Sequence, residues 1–128
     1  MLRGSNDEIL LTKGLARLGD SLINFIYSAA LSLELGKPIG IRVKNEVLSK
    51  ACKTLKLRER LKVKGEELSN GDLVESLLAF VWLKGILTSE DMIRIARKGL
   101  RSSPKGDENV LYSVVLLLKE VMRALLEI

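Results

Sequence analysis

Hydrophobic residues recur every three or four positions along most of the chain, the pattern of helices that bury one face. The first such stretch runs from about Asn6 to Leu35. Ser5 and Glu8 have capping-box spacing at its start, and Gly36 can take the left-handed conformation that ends a helix. Its predicted buried face consists of Leu11, Leu15, Leu18, Leu22, Phe25, Ile26, Ala29 and Leu33.

The middle of the chain predicts a second helix capped by Asn45 and ending near Leu55. A short helical turn at Leu57–Leu61 and a loop at Lys62–Glu66 follow. A third major helix, from about Ser69 to Lys84, is apolar around most of its circumference, so we expect it to be central and buried.

Two more helices complete the predicted order. Thr88 and Asp91 have capping-box spacing for a helix over about Ser89 to Gly99, and the last helix runs from about Asp107 to Glu127. Strand signals are absent apart from a short extended link near Ile41. The pattern therefore predicts an all-α bundle forming a single domain over residues 1–128.

Charge is concentrated rather than spread. The 128 residues carry a formal net charge of +5, and the segment Lys37–Lys64 holds ten Lys or Arg against two Glu, a local net of +8. Such a block is typical of a surface that binds a nucleic acid, and the scarcity of aromatics favours duplex backbone contacts over base stacking. The alternative is that these charged residues form a solvent-exposed surface that serves solubility or thermal stability and binds no partner.

Composition also restricts the chemistry. The chain has no His, and its single cysteine, Cys52, excludes an intrachain disulfide. Any metal site must then use oxygen ligands, which suit Mg²⁺ or Mn²⁺. The first twelve residues lack a signal-peptide pattern, and charges interrupt the apolar run Val110–Ile128. We therefore expect a cytoplasmic protein that does not enter membranes.

Three carboxylates stand on apolar helices: Asp20 on the first, and Asp72 and Glu75 three residues apart on the third. If those helices cross in the core, the three could surround one Mg²⁺ and support phosphodiester hydrolysis. Each also has a structural explanation, since Asp72 has capping-box spacing to Ser69 and the others could be polar surface.

The residues around these acids resemble a known family. Leu18–Leu22 (Leu-Gly-Asp-Ser-Leu) resembles the signature helix of ribonuclease III, and Asp72–Gly85 resembles its second acidic helix. Between them, Val43–Ala51 looks like the family's Val-Asn-Glu helix start. The blocks occur in the family's order, and the resemblance covers roughly Asn6 to Lys98.

The resemblance implies a helical, homodimeric, metal-dependent endonuclease that cuts double-stranded or structured RNA in RNA processing. Asp20, Asp72 and Glu75 match three of the family's four metal-site carboxylates, while the fourth falls on Ala16. The chain looks like the compact Mini-III form, which also has alanine there and lacks a separate double-stranded-RNA-binding domain.

Further site residues follow from the resemblance. Asn24 falls where that compact form has a glutamate, so it is a candidate neutral metal ligand, with Glu46 as a possible auxiliary. The larger family places an interface aromatic at the position of Arg17, so we expect dimer contacts from Leu18, Gly19 and Leu22. The candidate RNA-binding residues are Arg42, Lys44, Lys50, Lys53, Lys56, Arg58 and Arg60.

Two other functions remain open at this stage. Ala16 is compatible with a catalytically impaired RNA-binding or assembly protein on the same scaffold. The apolar final helix is compatible with a protein-interaction module.

Overall fold

Six helices and two short strands form the described part of the chain. The computed structural model describes residues 9–61, 63–65, 67–102 and 107–126. The helices are α1 (Lys13–Leu35), α2 (Asn45–Leu55), α3 (Leu57–Arg60), α4 (Asn70–Leu83), α5 (Ser89–Ser102) and α6 (Asp107–Leu126). The strands β1 (Ile9–Leu11) and β2 (Val63–Gly65) pair in parallel, with Ile9 opposite Val63. The predicted all-α class is confirmed.

Helix α1 begins later than its hydrophobic pattern predicts. Thr12 caps it, since its Oγ1 accepts a hydrogen bond from the Leu15 amide at 3.1 Å, and the three preceding residues form β1. The predicted start near Asn6 is therefore wrong, and the Ser5–Glu8 capping box lies outside the described residues. The predicted end is confirmed, because Gly36 has a φ of 70° after the last helical residue.

Two local predictions in the middle of the chain are wrong. The segment predicted as a loop contains β2, which satisfies its backbone groups against β1. Asn45 is the first residue of α2 rather than its cap. Its Oδ1 instead lies 2.0 Å from the position a Cβ at Gly71 would take, so this side chain packs against the start of α4.

Helix α4 is central, as predicted. Its residues from Leu73 to Ala79 are all buried, and it packs against both α1 and α2. The Ser69 hydroxyl caps it by accepting from the Asp72 amide at 3.2 Å. The core around it consists of aliphatic side chains with Cys52, Met92, Met122 and the buried Tyr27 on α1.

Helices α5 and α6 pack closely against each other. The predicted capping box is confirmed, because the Thr88 and Asp91 side chains each accept the other residue's amide hydrogen at 3.0 Å. Helix α5 continues past Gly99, because this glycine packs in mid-helix: an added Cβ would lie 2.7 Å from Ser113 Cα on α6. In the described residues, no helix is long and apolar enough to cross a membrane.

Candidate active site between helices α1 and α4

Helices α1 and α4 touch backbone to backbone at Gly19. A Cβ added to this glycine would lie 1.9 Å from the Glu75 carbonyl oxygen and 2.8 Å from its Cα. Only a residue without a side chain fits at such a distance, since real Cβ contacts do not fall below about 3 Å. The contact places the next residue, Asp20, beside Glu75.

The Asp20 and Glu75 carboxyl groups form a hydrogen-bonded pair. The pKa of Glu75 is raised from 4.5 to about 8; burial is the largest cause, followed by the hydrogen bond to Asp20 and the charges of Asp20 and Asp72. Arg42 acts in the opposite direction. The pair therefore holds a proton near neutral pH, and a cation can replace that proton.

Asp72 lies one helical turn before Glu75 and contributes charge to the same region. Its backbone amide is used by the Ser69 cap, which confirms that part of its structural explanation. Among the described residues, no three Asp, Glu, Cys or His side chains are close enough together to hold one ion. The structure brings the predicted carboxyl groups of Asp20 and Glu75 into contact, and Asp72 lies near enough for its charge to act on Glu75.

Two nitrogen groups face the Asp20 carboxylate. Arg42 Nη2 lies 3.3 Å from both of its oxygens, and Asn24 Nδ2 donates to Oδ1 at 3.3 Å. Asn24 Oδ1 accepts from the Val43 amide at 2.7 Å. The ion pair between Arg42 and Asp20 is open to solvent, with side chains 77% and 41% exposed.

Arg42 is held in place by an extended segment, residues 39–43, which we term the connector. Ser32 Oγ accepts from the Ile39 amide at 2.8 Å, and Ser28 Oγ accepts from the Ile41 amide at 2.9 Å. Each hydroxyl also donates to the carbonyl of the residue whose amide it binds, Ser28 to Ile41 and Ser32 to Ile39. These α1 residues stand one turn apart, about 6 Å, which matches the rise of about 6.6 Å over two extended residues.

This arrangement explains the extended link near Ile41 without a strand partner. Asn24, Ser28 and Ser32 recur every four residues, while Ile39, Ile41 and Val43 recur every two. These matching spacings are visible in the sequence and indicate that the connector pairs with α1. The pairing was not predicted, because serines on a helix are usually solvent-exposed residues without a specific partner.

Comparison with known families fits this geometry. The family model described as Ribonuclease III matches residues 13–126. The chain belongs to the ribonuclease III family. No curated protein sequence matched the chain in a separate comparison. The family match spans α1 to α6 and so includes the Asp20–Glu75 pair and the connector.

Ala16 lies one helical turn before Asp20, at a position that matters in a ribonuclease III family chain. Ala16 there is only 5% exposed, so a buried methyl group stands where the larger family was expected to have a fourth carboxylate. Glu46, the possible auxiliary residue, is exposed in the first turn of α2.

The basic residues of this ribonuclease III family chain are mostly at the surface. Arg58 also has a structural role, since its Nε donates to Asn70 Oδ1 at 2.6 Å and its guanidinium group donates to the Leu68 carbonyl. It thereby ties α3 to the start of α4. The other predicted RNA-binding residues are also exposed: Arg42, Lys44, Lys50, Lys53, Lys56 and Arg60.

The structure corrects two of the three residues expected at a dimer interface. Gly19 does permit a close helix approach, but the helix is α4 of the same chain. Leu22 is 8% exposed and belongs to the core. Leu18 remains 37% exposed, and Phe25, two turns further along α1, is 56% exposed although its spacing predicted burial.

Proposed function

We propose that this ribonuclease III family protein is a metal-dependent endoribonuclease that cleaves double-stranded or structured RNA in RNA processing. The observation that supports the activity best is the contact of Asp20 and Glu75 across the α1–α4 crossing. A buried carboxyl group with a second carboxyl group beside it is costly to ionise, and perturbed carboxyls of this kind cluster at functional sites.

The residues present fit Mg²⁺ or Mn²⁺. Mg²⁺ is commonly bound by one or two carboxylates, with waters in the remaining positions, so a two-carboxylate pair is sufficient. Asp20 and Glu75 would hold the ion, with Asp72 nearby and Glu46 as the further candidate. When bound, it would supply Lewis acidity toward water and phosphate.

The chain's own residues do the rest of the proposed work. Glu75 must lose its proton before both carboxylates can bind the cation, so it releases that proton to solvent. Arg42 neutralises Asp20 in the cation-free protein and becomes available to an RNA phosphate when another cation takes its place. The exposed lysines Lys50 and Lys53 of α2 would bind the duplex backbone.

We further propose a homodimer, in which a second copy covers the exposed apolar positions of α1. Leu18 and Phe25 lie seven residues apart, hence on one side of the helix. Cytoplasmic location stays a prediction.

Cleavage of duplex RNA by purified variants tests the proposed activity. Asp20→Asn and Glu75→Gln should each lower the Mg²⁺-dependent rate about a hundredfold or more. Glu90→Gln, which changes an exposed acid in the first turn of α5, is the matched control and should stay within about twofold of the wild type. Wild-type protein that folds but cuts no structured RNA with either metal would refute the enzyme hypothesis.

A second candidate is RNA binding without turnover. Ala16 and the Arg42–Asp20 ion pair favour it, because one ligand position is a methyl group and a resident cation already faces one of the acids. It predicts a salt-sensitive gel shift with duplex RNA and no cleavage under the same conditions. The interaction-module alternative loses its main support, because the apolar residues Val114, Leu117, Leu118 and Val121 of α6 are buried within the chain.

A further inference from the structure

Asn24 joins the Asp20 carboxylate to the connector. Its Oδ1 accepts from the Val43 amide at 2.7 Å, and its Nδ2 donates to Asp20 Oδ1 at 3.3 Å. A backbone N–H can only donate, so it fixes which end of the side-chain amide faces which neighbour. The end that faces Asp20 is the NH₂ group, which cannot ligate a cation.

We propose that Asn24 is a positioning residue for Asp20 and not a metal ligand. Its amide fixes the carboxylate from one side while holding Val43, whose chain neighbour Arg42 contacts the same carboxylate. One side chain therefore sets both the orientation of Asp20 and the place of its counter-cation. The inference rests on the proposed function only in that Asp20 is taken as a site residue.

Ser32 provides a matched control at the other end of the connector. Like Asn24, it holds a connector amide through a side-chain oxygen, at 2.8 Å from Ile39 N. The two hydrogen-bonding partners of its hydroxyl group are both in Ile39. Ser32→Ala should therefore loosen the connector without disturbing the Asp20 carboxylate. Asn24→Ala should loosen the connector and also disturb that carboxylate.

Amide hydrogen exchange followed by NMR tests the geometry without reference to activity. Asn24→Ala should speed exchange at the Val43 amide about tenfold and leave that of Ile39 unchanged. Ser32→Ala should speed exchange at the Ile39 amide and leave that of Val43 unchanged. In cleavage assays Asn24→Ala should lower kcat about tenfold with KM for RNA nearly constant, while Ser32→Ala should leave both unchanged. Equal losses of kcat in the two variants would overturn the positioning role.

Wild-type protein with Mg²⁺ alone separates positioning from ligation. To ligate a cation held by Asp20, the Asn24 amide must rotate so that its oxygen rather than its NH₂ group faces Asp20, and Mg²⁺ would then expose the Val43 amide to exchange. A positioning role keeps the Val43 amide protected as Mg²⁺ is added. Loss of this protection on metal binding overturns the proposal, and this arm needs no variant that could misfold.

Asn24→Asp adds a discriminating variant. A carboxylate can still accept from Val43 but cannot donate to Asp20, so protection at Val43 should remain while kcat falls about tenfold. A gain in activity would instead indicate ligation and overturn the proposal. The metal site has a separate test: Mg²⁺ should raise the thermal stability of the wild type but not that of Asp20→Asn. If the wild type shows no such stabilisation, the proposed function fails. The hydrogen-exchange data on the variants would still decide which groups Asn24 holds.

Discussion

The Glu75 carbonyl oxygen occupies the space that a side chain at Gly19 would need, 1.9 Å from the ideal Cβ position. The sequence analysis placed this glycine at a dimer interface. The structure instead places it against α4 of the same chain, so the same contact fixes the α1–α4 crossing and brings the two acids together.

Gly19→Ala should destabilise the protein strongly. The methyl group must push α4 away, and overpacking of this kind costs about 1–3 kcal/mol or more. Gly14→Ala in the same helix is the control: its Cβ would meet only Thr12 Oγ1 at 3.6 Å, and alanine favours a helix over glycine by about 0.5–1 kcal/mol. Urea unfolding should therefore show changes of opposite sign, and equal effects would contradict the packing explanation.

Stability should fall as pH rises through the range in which Glu75 ionises. The folded chain holds the Glu75 proton up to about pH 8, whereas the ordinary pKa is 4.5, so the folded state binds the extra proton between these values. This contribution to the free energy of unfolding is fully present below pH 4.5, declines above it and is lost beyond about pH 8. Urea titrations of wild type and Glu75→Gln at several pH values check this, since the variant should lack this part of the decline.

Removing Arg42 should affect metal binding more than folding. The Arg42–Asp20 ion pair is exposed, and pairs of this kind contribute about 0–1 kcal/mol. Arg42→Gln should shift the midpoint of thermal unfolding by only a few degrees at most, yet lower the Mg²⁺ concentration needed for half-maximal thermal stabilisation, because a competing cation is gone. Weaker Mg²⁺ binding in this variant would show that Arg42 does not compete for Asp20.

Charge reversal on α2 should weaken RNA binding through electrostatics alone. Lys50→Glu with Lys53→Glu should reduce duplex affinity and lower the slope of log affinity against log salt by about two. Lys98→Glu with Lys119→Glu, at exposed positions on α5 and α6, makes the same change in net charge outside the basic segment. If both proteins lose affinity equally, net charge rather than the α2 face determines binding.

The buried Tyr27–Ser113 hydrogen bond should be sensitive to which partner is removed. Ser113 Oγ donates to the Ala96 carbonyl at 2.8 Å, so Tyr27 must be the donor in its own 2.8 Å contact with Ser113. Ser113→Ala leaves the buried tyrosine hydroxyl unpaired and should cost about 1–3 kcal/mol, whereas Tyr27→Phe should cost about 0.5–1.5 kcal/mol. Adding Tyr27→Phe to Ser113→Ala should recover stability in urea unfolding.

Local signals in the sequence predicted much of the fold. The end of α1 at Gly36 and the Thr88–Asp91 box depend on neighbouring residues only, so they are readable from the sequence. Gly99 was misread as a helix end because its reason for being glycine is Ser113, on another helix. The start of α1 was misplaced for a similar reason, since β1 forms only with a partner more than fifty residues away.

The candidate site divides in the same way. Asp20 and Glu75 were predicted from residues that resemble the family, and their contact follows from the Gly19 crossing. The full surroundings of Asp20 could not be predicted, because Arg42 reaches it only through the path of the connector, whose Val43 amide also sets which end of the Asn24 amide faces Asp20. A motif identifies the acids, whereas the groups that orient them depend on tertiary structure.

The pairing of the connector with α1 also constrains its length. The amides of alternate connector residues bond to the helix, so inserting or deleting one residue between Ile39 and Arg42 would put part of the connector out of phase with Ser32, Ser28 and Asn24 on α1. A change of two residues would keep the parity and shift the segment by one helical turn. This part of the loop therefore tolerates length changes only in even steps, as a strand register does, although it belongs to no sheet.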